Sequence, residues 1–446
     1  MLHYKGGPMK SRREFLKNIA LGSAGLAVAW NAKSYARIIG SNERVNFAVI
    51  GLHGRGNAHL ECIAQNKDTM VTHVCDVDRR ELDKFAVAAE KRFGQAPVKE
   101  KDFRNMLASK DVDVITIAAP EHWQASMAIM GLQAGKHVYV EKPSSHDPHE
   151  GELLVQAQKK YGKLVQLGNQ QRSSEHTIEI MEQIKNGVIG RPYFGKAWYI
   201  NTRKSIGVGK EVPVPEHLDW ELWQGPAPRR KYKDNVHPYN WHWFWHWGTG
   251  ETLNNGTHEV DLCRWALGLG YPNSITASGG RYHYKDDWEF YDTLVTSYQY
   301  DDAMITWECL SCQGKSHHGR DRGVTIHGTD GTVLLDRGGY QIFDLNDKVL
   351  KEQKASKSSS TQDLRSIDSM TTRHFQNLID AIRTGEKLRS PIADINPSVA
   401  VLQLSNIAWK VNRTLHLDKK NGHILEDDKA NELWQREYEK GWELKV

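Results

Sequence analysis

From residue 44 onward the apolar positions gather into short, nearly continuous runs separated by stretches of helical character. Residues 45–50 form the first run, which suits a strand covered on both faces, and it stops at Gly51. Residues 57–64 then take helical character, and a second run at residues 70–75 ends at Asp76. Further runs at residues 114–118, 137–140 and 164–167 alternate with helical stretches. Strands spaced by helices at about 30 residues per unit require right-handed crossovers, so the pattern predicts an α/β fold with a parallel, doubly wound sheet. Later the period changes: residues 293–300, 303–308 and 324–327 alternate as strands of a sheet with one covered face, and residues 374–383 and 397–411 read as helices.

The turn after the first run is Gly51-Leu52-His53-Gly54-Arg55-Gly56. A glycine at the strand end permits the tight turn and Gly56 lets the helix approach the strand, so a pyrophosphate could rest on the helix N-terminus. His53 stands where the dinucleotide motif has its middle glycine, with Gly54 one place later. Asp76 lies 20 residues beyond Gly56, at the end of the second strand, where a carboxylate can accept both adenosine ribose hydroxyls and repel a 2′-phosphate. NAD is therefore expected over NADP, although Arg79 and Arg80 stand close by.

Composition narrows the function classes. The net charge of +4 arises from one end: without residues 1–36 it becomes −1, which removes the electrostatic footprint of a nucleic-acid binder. Ser11-Arg12-Arg13-Glu14-Phe15-Leu16-Lys17, a moderately apolar run too short to span a bilayer, and Ser34-Tyr35-Ala36 together resemble a twin-arginine export signal. The expectation is a signal over residues 1–36 and a periplasmic or other extracytoplasmic location. Five cysteines are few and odd in number for a disulfide framework, and Cys309-Leu310-Ser311-Cys312 lacks the second pair that would complete a zinc site, so buried thiols and no metal are expected.

Ala118-Ala119-Pro120-Glu121-His122-Trp123, and Ala134-Gly135-Lys136-His137-Val138-Tyr139-Val140-Glu141-Lys142-Pro143, resemble the glucose–fructose oxidoreductase / inositol dehydrogenase (Gfo/Idh/MocA) family, which carries Glu-Lys-Pro at the end of a Rossmann strand. Gly168-Asn169-Gln170-Gln171-Arg172, residues 254–261 and Gly328-Thr329-Asp330-Gly331 extend the likeness from about residue 44 to the C-terminus. The resemblance implies a Rossmann domain over residues 44–170, an α+β domain on a large, mostly antiparallel open sheet over 171–370, and returning helices over 371–446. It implies cofactor contacts from Gly51, His53, Gly54, Arg55, Gly56, Asp76, Pro120, His122, Glu141, Lys142 and Asn169, and a homo-oligomer, dimer or tetramer, formed on the open sheet.

The family's proton-handling pair, an Asp and a His four residues apart on one helical face, falls here on Asn254 and His258. An amide orients a hydroxyl but takes no proton. His258 is therefore assigned as the acid/base, Lys142 as its electrostatic and hydrogen-bonding partner, and Asn254 as a substrate-positioning group. The preceding segment is rich in rings, from Trp220, Trp223 and Tyr232 to Trp241 through Trp247. Flat aromatic faces stack on the C–H face of a pyranose, so a carbohydrate or glycoside is the expected substrate, with Arg172, His237, Tyr239 and Trp243 as candidate contacts. The leading reading is an NAD-dependent oxidoreductase acting on a sugar hydroxyl. Alternatives are a glycosidase that oxidises its substrate transiently and a non-catalytic sugar-binding protein.

Overall fold

The apolar runs become six parallel strands in the order β3-β2-β1-β4-β5-β6: β1 (Val45–Ile50), β2 (Thr69–Cys75), β3 (Val98–Glu100), β4 (Val114–Ile117), β5 (His137–Glu141) and β6 (Val165–Gly168). The structure is a computed structural model that describes residues 44–355 and 369–446; the export signal read at residues 1–36 lies outside them. β4 is buried at every position because helices cover both faces of the sheet. One layer comprises α1 (Gly54–Gln65) and α2 (Arg79–Phe93), and the other α3 (Glu121–Gln133) and α4 (Pro148–Tyr161). The strand order reverses between β1 and β4, the switch point where such sheets open a crevice at their carboxyl ends.

After α5 (Glu175–Lys185) a second, nine-stranded sheet begins with β7 (Pro192–Ile200) and continues with β8 (Ser274–Gly280), β9 (Thr293–Gln299), β10 (Met304–Leu310), β11 (Arg322–Gly328), β12 (Thr332–Asp336), β13 (Gly339–Phe343), β14 (Val349–Lys354) and β15 (Leu415–His416). Only β7 and β10 pair in parallel, so the sheet is mostly antiparallel. Burial alternates along β9 and β10: their inner positions pack under α6 (Gly250–Leu267) and α8 (Ile392–Val411), while Val295 faces outward at 50% exposure.

The chain returns to the first sheet through α7 (Ser369–Thr384), whose Phe375 stacks on Tyr139 of β5 at 4.2 Å. α8 starts five residues before the expected Pro397: Ile392 and Ile395 are fully buried, and their packing offsets the amide that the interior proline lacks. All five cysteines are free thiols, four of them buried. Among the described residues no helix is long and apolar enough to cross a membrane.

Candidate functional site

A cavity of about 560 Å³ opens at the carboxyl ends of β1, β4 and β5, and its far wall comes from the second domain. Gly51 turns the chain at φ +82°, and a Cβ there would lie 2.6 Å from the Ala118 carbonyl carbon. A Cβ on Gly56 would meet the Gly51 oxygen at 2.1 Å, so Gly56 serves the turn by close packing and does not face the cavity. His53, Gly54 and Arg55 do line it. α1 has no acidic residue in its first turn and no side-chain cap, which leaves its N-terminal dipole open to an anion. Gly56→Ala should therefore weaken NADH binding by about tenfold or more, as strain at the turn is of order 1–3 kcal/mol, readable by NADH fluorescence titration.

Asp76 sits at the same cavity, its Oδ2 accepting from Leu52 N at 2.8 Å and its Oδ1 from Asp78 N at 2.9 Å. The helix that follows is capped by Asp78, which also holds the Arg80 guanidinium at 3.0 Å, so that cation is turned away from a 2′-phosphate. Burial pushes the Asp76 carboxyl up to about 6, against the pull of those two amides. Only the carboxylate accepts two ribose hydroxyls. NADH affinity should fall as pH drops from 7 towards 5, and Asp76→Asn should flatten that dependence, both read in the same titration. The glycine turn, the open helix terminus and Asp76 together fit NAD.

Glu141 and Pro120 also line the cavity. Glu141 accepts from Arg55 Nε at 2.8 Å and pairs with His59 Nε2 at 3.0 Å; the Arg55 guanidinium and His59 hold its carboxyl far below the usual range despite burial. It anchors the turn. His122 departs from expectation: it is fully buried, pairs through Nε2 with the Trp223 carbonyl at 2.9 Å, and lies behind the cavity wall. Its neighbours Glu121, Trp123 and Gln124 do reach the cavity.

Lys142 projects from the end of β5, and its Nζ donates to the Asn254 carbonyl at 2.5 Å and to Asn254 Oδ1 at 2.8 Å. Asn254 and His258 share one face of α6, and both line the cavity. The expected Lys142–His258 hydrogen bond is replaced by these bonds to Asn254; the influence of the ammonium on the imidazole is Coulombic. His258 Nδ1 donates to Asn169 Oδ1 at 2.7 Å, which fixes the tautomer that leaves Nε2 as an acceptor. Burial, with Arg337, Arg322 and Lys142 nearby, keeps the imidazole neutral at pH 7. Burial also lowers the Lys142 ammonium, opposed by Glu121, Glu141 and Glu251.

Asn169 and Arg172 are behind His258 rather than at the cavity surface. Asn169 Nδ2 donates to Asp261 Oδ2 at 2.8 Å, and Arg172 grips both Asp261 oxygens at 2.7 and 2.9 Å. These bonds orient Asn169 so that its oxygen meets His258. The carboxylate outcompeted a ligand for the arginine because a bidentate pair satisfies its fork in place.

The aromatic segment divides. His237, Tyr239, Trp241 and His242 line the cavity together with Trp123, Tyr199 and Trp223. Trp220, Trp223, Tyr232, Trp241, Phe244 and Trp247 build a small core of their own. Trp243 is buried against Trp288, ring on ring at 3.9 Å, so it supports the wall without facing the cavity. Arg203 and Arg322, which sequence reasoning missed, complete the wall, each in a bidentate pair with a buried glutamate, Glu251 and Glu259 respectively.

Two family models match the chain: an oxidoreductase family, NAD-binding Rossmann fold, over residues 45–169, and an oxidoreductase family, C-terminal alpha/beta domain, over residues 187–444. Among curated relatives, a glycosyl hydrolase family 109 protein of Saccharopolyspora erythraea is 28% identical over 44% of this chain and 47% of its own. The chain spans about half the length of the curated relatives it matches. Among solved structures, the WlbA dehydrogenase of Bordetella pertussis in complex with NADH and UDP-GlcNAcA aligns with TM-score 0.62 at 20% identity, over 84% of this chain and 99% of that one. Levoglucosan dehydrogenase, in complex with NADH and levoglucosan, aligns with TM-score 0.63 at 19% identity, over 84% and 99%.

Proposed function

Because the chain belongs to the Gfo/Idh/MocA family of NAD-binding oxidoreductases, we propose that it takes a hydride from a secondary hydroxyl of a sugar or glycoside. The observation that carries this reading is the convergence of Lys142, Asn254 and His258 on the cavity that also holds the glycine turn and Asp76. NAD, when bound, supplies the hydride acceptor. His258 Nε2 accepts the hydroxyl proton, Lys142 steadies the developing negative charge on the substrate oxygen, and the amide of Asn254 holds the ammonium in place. Tyr239, Trp241 and His242 offer the flat wall on which a pyranose stacks and from which water is excluded.

A second reading is favoured by the relatives named as glycosyl hydrolase family 109 proteins: transient oxidation of the sugar acidifies the adjacent C–H, the glycosidic bond eliminates, and water adds back. A panel of aryl glycosides separates the two. Keto-sugar accumulation with NADH absorbance supports the dehydrogenase; aglycone release without net NADH supports the glycosidase; neither product from any glycoside overturns both.

The arginine pair at residues 12 and 13 supports export of the folded protein by the twin-arginine route to the periplasm. Export with NAD already bound would suit a compartment poor in free NAD. The open face of the nine-stranded sheet, where Val295 is exposed, suits a homodimer or homotetramer, which sedimentation would reveal.

A further inference from the structure

One hydrogen bond joins the linings of two cavities. Thr249 occupies the N-cap of α6, where a threonine ordinarily accepts a bond from the helix's own amides. Here it makes no such bond; its Oγ1 donates instead across to Glu121 Oε2 on α3, at 2.5 Å. Glu121 is 1% exposed and lines the main cavity beside Lys142, whereas Thr249 lines a second cavity of about 60 Å³. That cavity is walled by His146, Gln403 and Arg436, and three of their buried atoms, His146 Nδ1, Gln403 Oε1 and Arg436 Nη1, have no protein partner. Three such atoms around a space large enough for a water are met by water bound there.

The arrangement matters because a proton taken by His258 has no exit behind the imidazole: Nδ1 donates to an amide oxygen, which does not pass a proton on. Lys142 commits two N–H bonds to Asn254 and keeps a third position for exchange. Glu121 lines the same cavity, and its carboxylate favours the charged form of Lys142. The charged groups bearing on Glu121 are Lys142, from the end of β5, and Glu251, from α6; burial pushes its carboxyl up to about 7 while burial lowers Lys142, so the two proton affinities converge.

Resting on the dehydrogenase reading, we propose that Lys142, Glu121 and Thr249 form a relay that carries the substrate's proton out of the main cavity into water of the second. Nζ, as the ammonium, first gives a proton to a Glu121 oxygen, and the amine left behind takes the proton that His258 Nε2 accepted from the substrate hydroxyl. The resulting acid O–H breaks towards Thr249 Oγ1 as the threonine's own proton passes to the water. Only a proton moves, every heavy atom ends with the protons it began with, and reduction runs the sequence backwards.

Glu121→Gln, Thr249→Val and the conservative Thr249→Ser test this in the full chain. Expected are a fall in kcat of about tenfold or more for the first two, with KM and NADH affinity held and the acid limb of the pH profile displaced, and recovery in Thr249→Ser. Infrared spectroscopy gives a readout that needs no turnover. The carbonyl stretch of protonated Glu121 should titrate near neutral pH and exchange with deuterium quickly in the unaltered protein and in Thr249→Ser, slowly in Thr249→Val, and be missing in Glu121→Gln. Losses confined to KM, or deuterium exchange indifferent to Thr249→Val, overturn the relay. Lack of turnover of every glycoside by the unaltered protein would remove the dehydrogenase reading, and the exchange rates then decide the relay alone.

Discussion

Lys142→Met should lower turnover by about 10²–10⁴-fold while leaving the protein folded and at least as resistant to urea. The two halves of that expectation have different causes. Turnover falls because Nζ is the cation at the cavity floor, held by Asn254 at 2.8 Å, and methionine offers neither charge nor exchangeable proton. Stability does not fall because the buried ammonium is a cost: its pKa is lowered in the folded chain, chiefly by burial, so the native state binds this proton less tightly than the unfolded state. That cost is present wherever the unfolded lysine is charged and fades only as pH rises towards its ordinary value, so removing the group relieves it at neutral pH. The pH profile supplies a further check. His258 is depressed well below 6.5, so a limb along which turnover falls as pH rises above neutrality marks the loss of the Lys142 ammonium and should vanish in Lys142→Met. A profile that keeps its limb, or a variant that unfolds early, would detach Lys142 from the proton chemistry.

How much of this was legible follows from what each element needs to exist. β1 and β2 are apolar runs ended by Gly51 and Asp76, so local pattern suffices. β3 is a three-residue edge strand, Val98–Glu100, with two exposed positions; it forms because β2 offers a free edge, and no periodicity announces it. Within the site, Lys142, Asn254 and His258 were readable because a strand end and one helix face bring them together almost irrespective of the rest. Arg172 and Asn169 were read too far forward. Whether an arginine faces a ligand or a carboxylate depends on tertiary pairing, and its partner Asp261 lies 89 residues later. Glu121 stands in a first helical turn, where acidic residues are ordinary, so its contact with Thr249, 128 residues on, left no local trace.

The amide at position 254 also becomes intelligible. Asn254 Nδ2 donates to Glu251 Oε1 at 3.2 Å, and a carboxylate there would set two anions against each other in a buried place. The anion expected at 254 stands one turn earlier instead, on a glutamate with no solvent exposure that binds Arg203, Asn254 and Asn255. Glu251→Ala should therefore cost about 3–5 kcal/mol of stability, because it leaves the Arg203 guanidinium without its counter-anion, over the Trp243 ring and 3.5 Å from the Tyr239 hydroxyl. The double variant Arg203→Met/Glu251→Leu should regain most of that loss, since apolar side chains of similar volume can replace a buried pair at little cost. It should nevertheless stay inactive, as the wall facing the substrate has lost its charge pattern and Asn254 the acceptor that orients it against Lys142. Urea unfolding of the three variants beside their turnover decides the matter: recovery of both stability and activity in the double variant would mean that Glu251 and Arg203 only pack the wall, whereas recovery of stability alone places them in the support of Lys142.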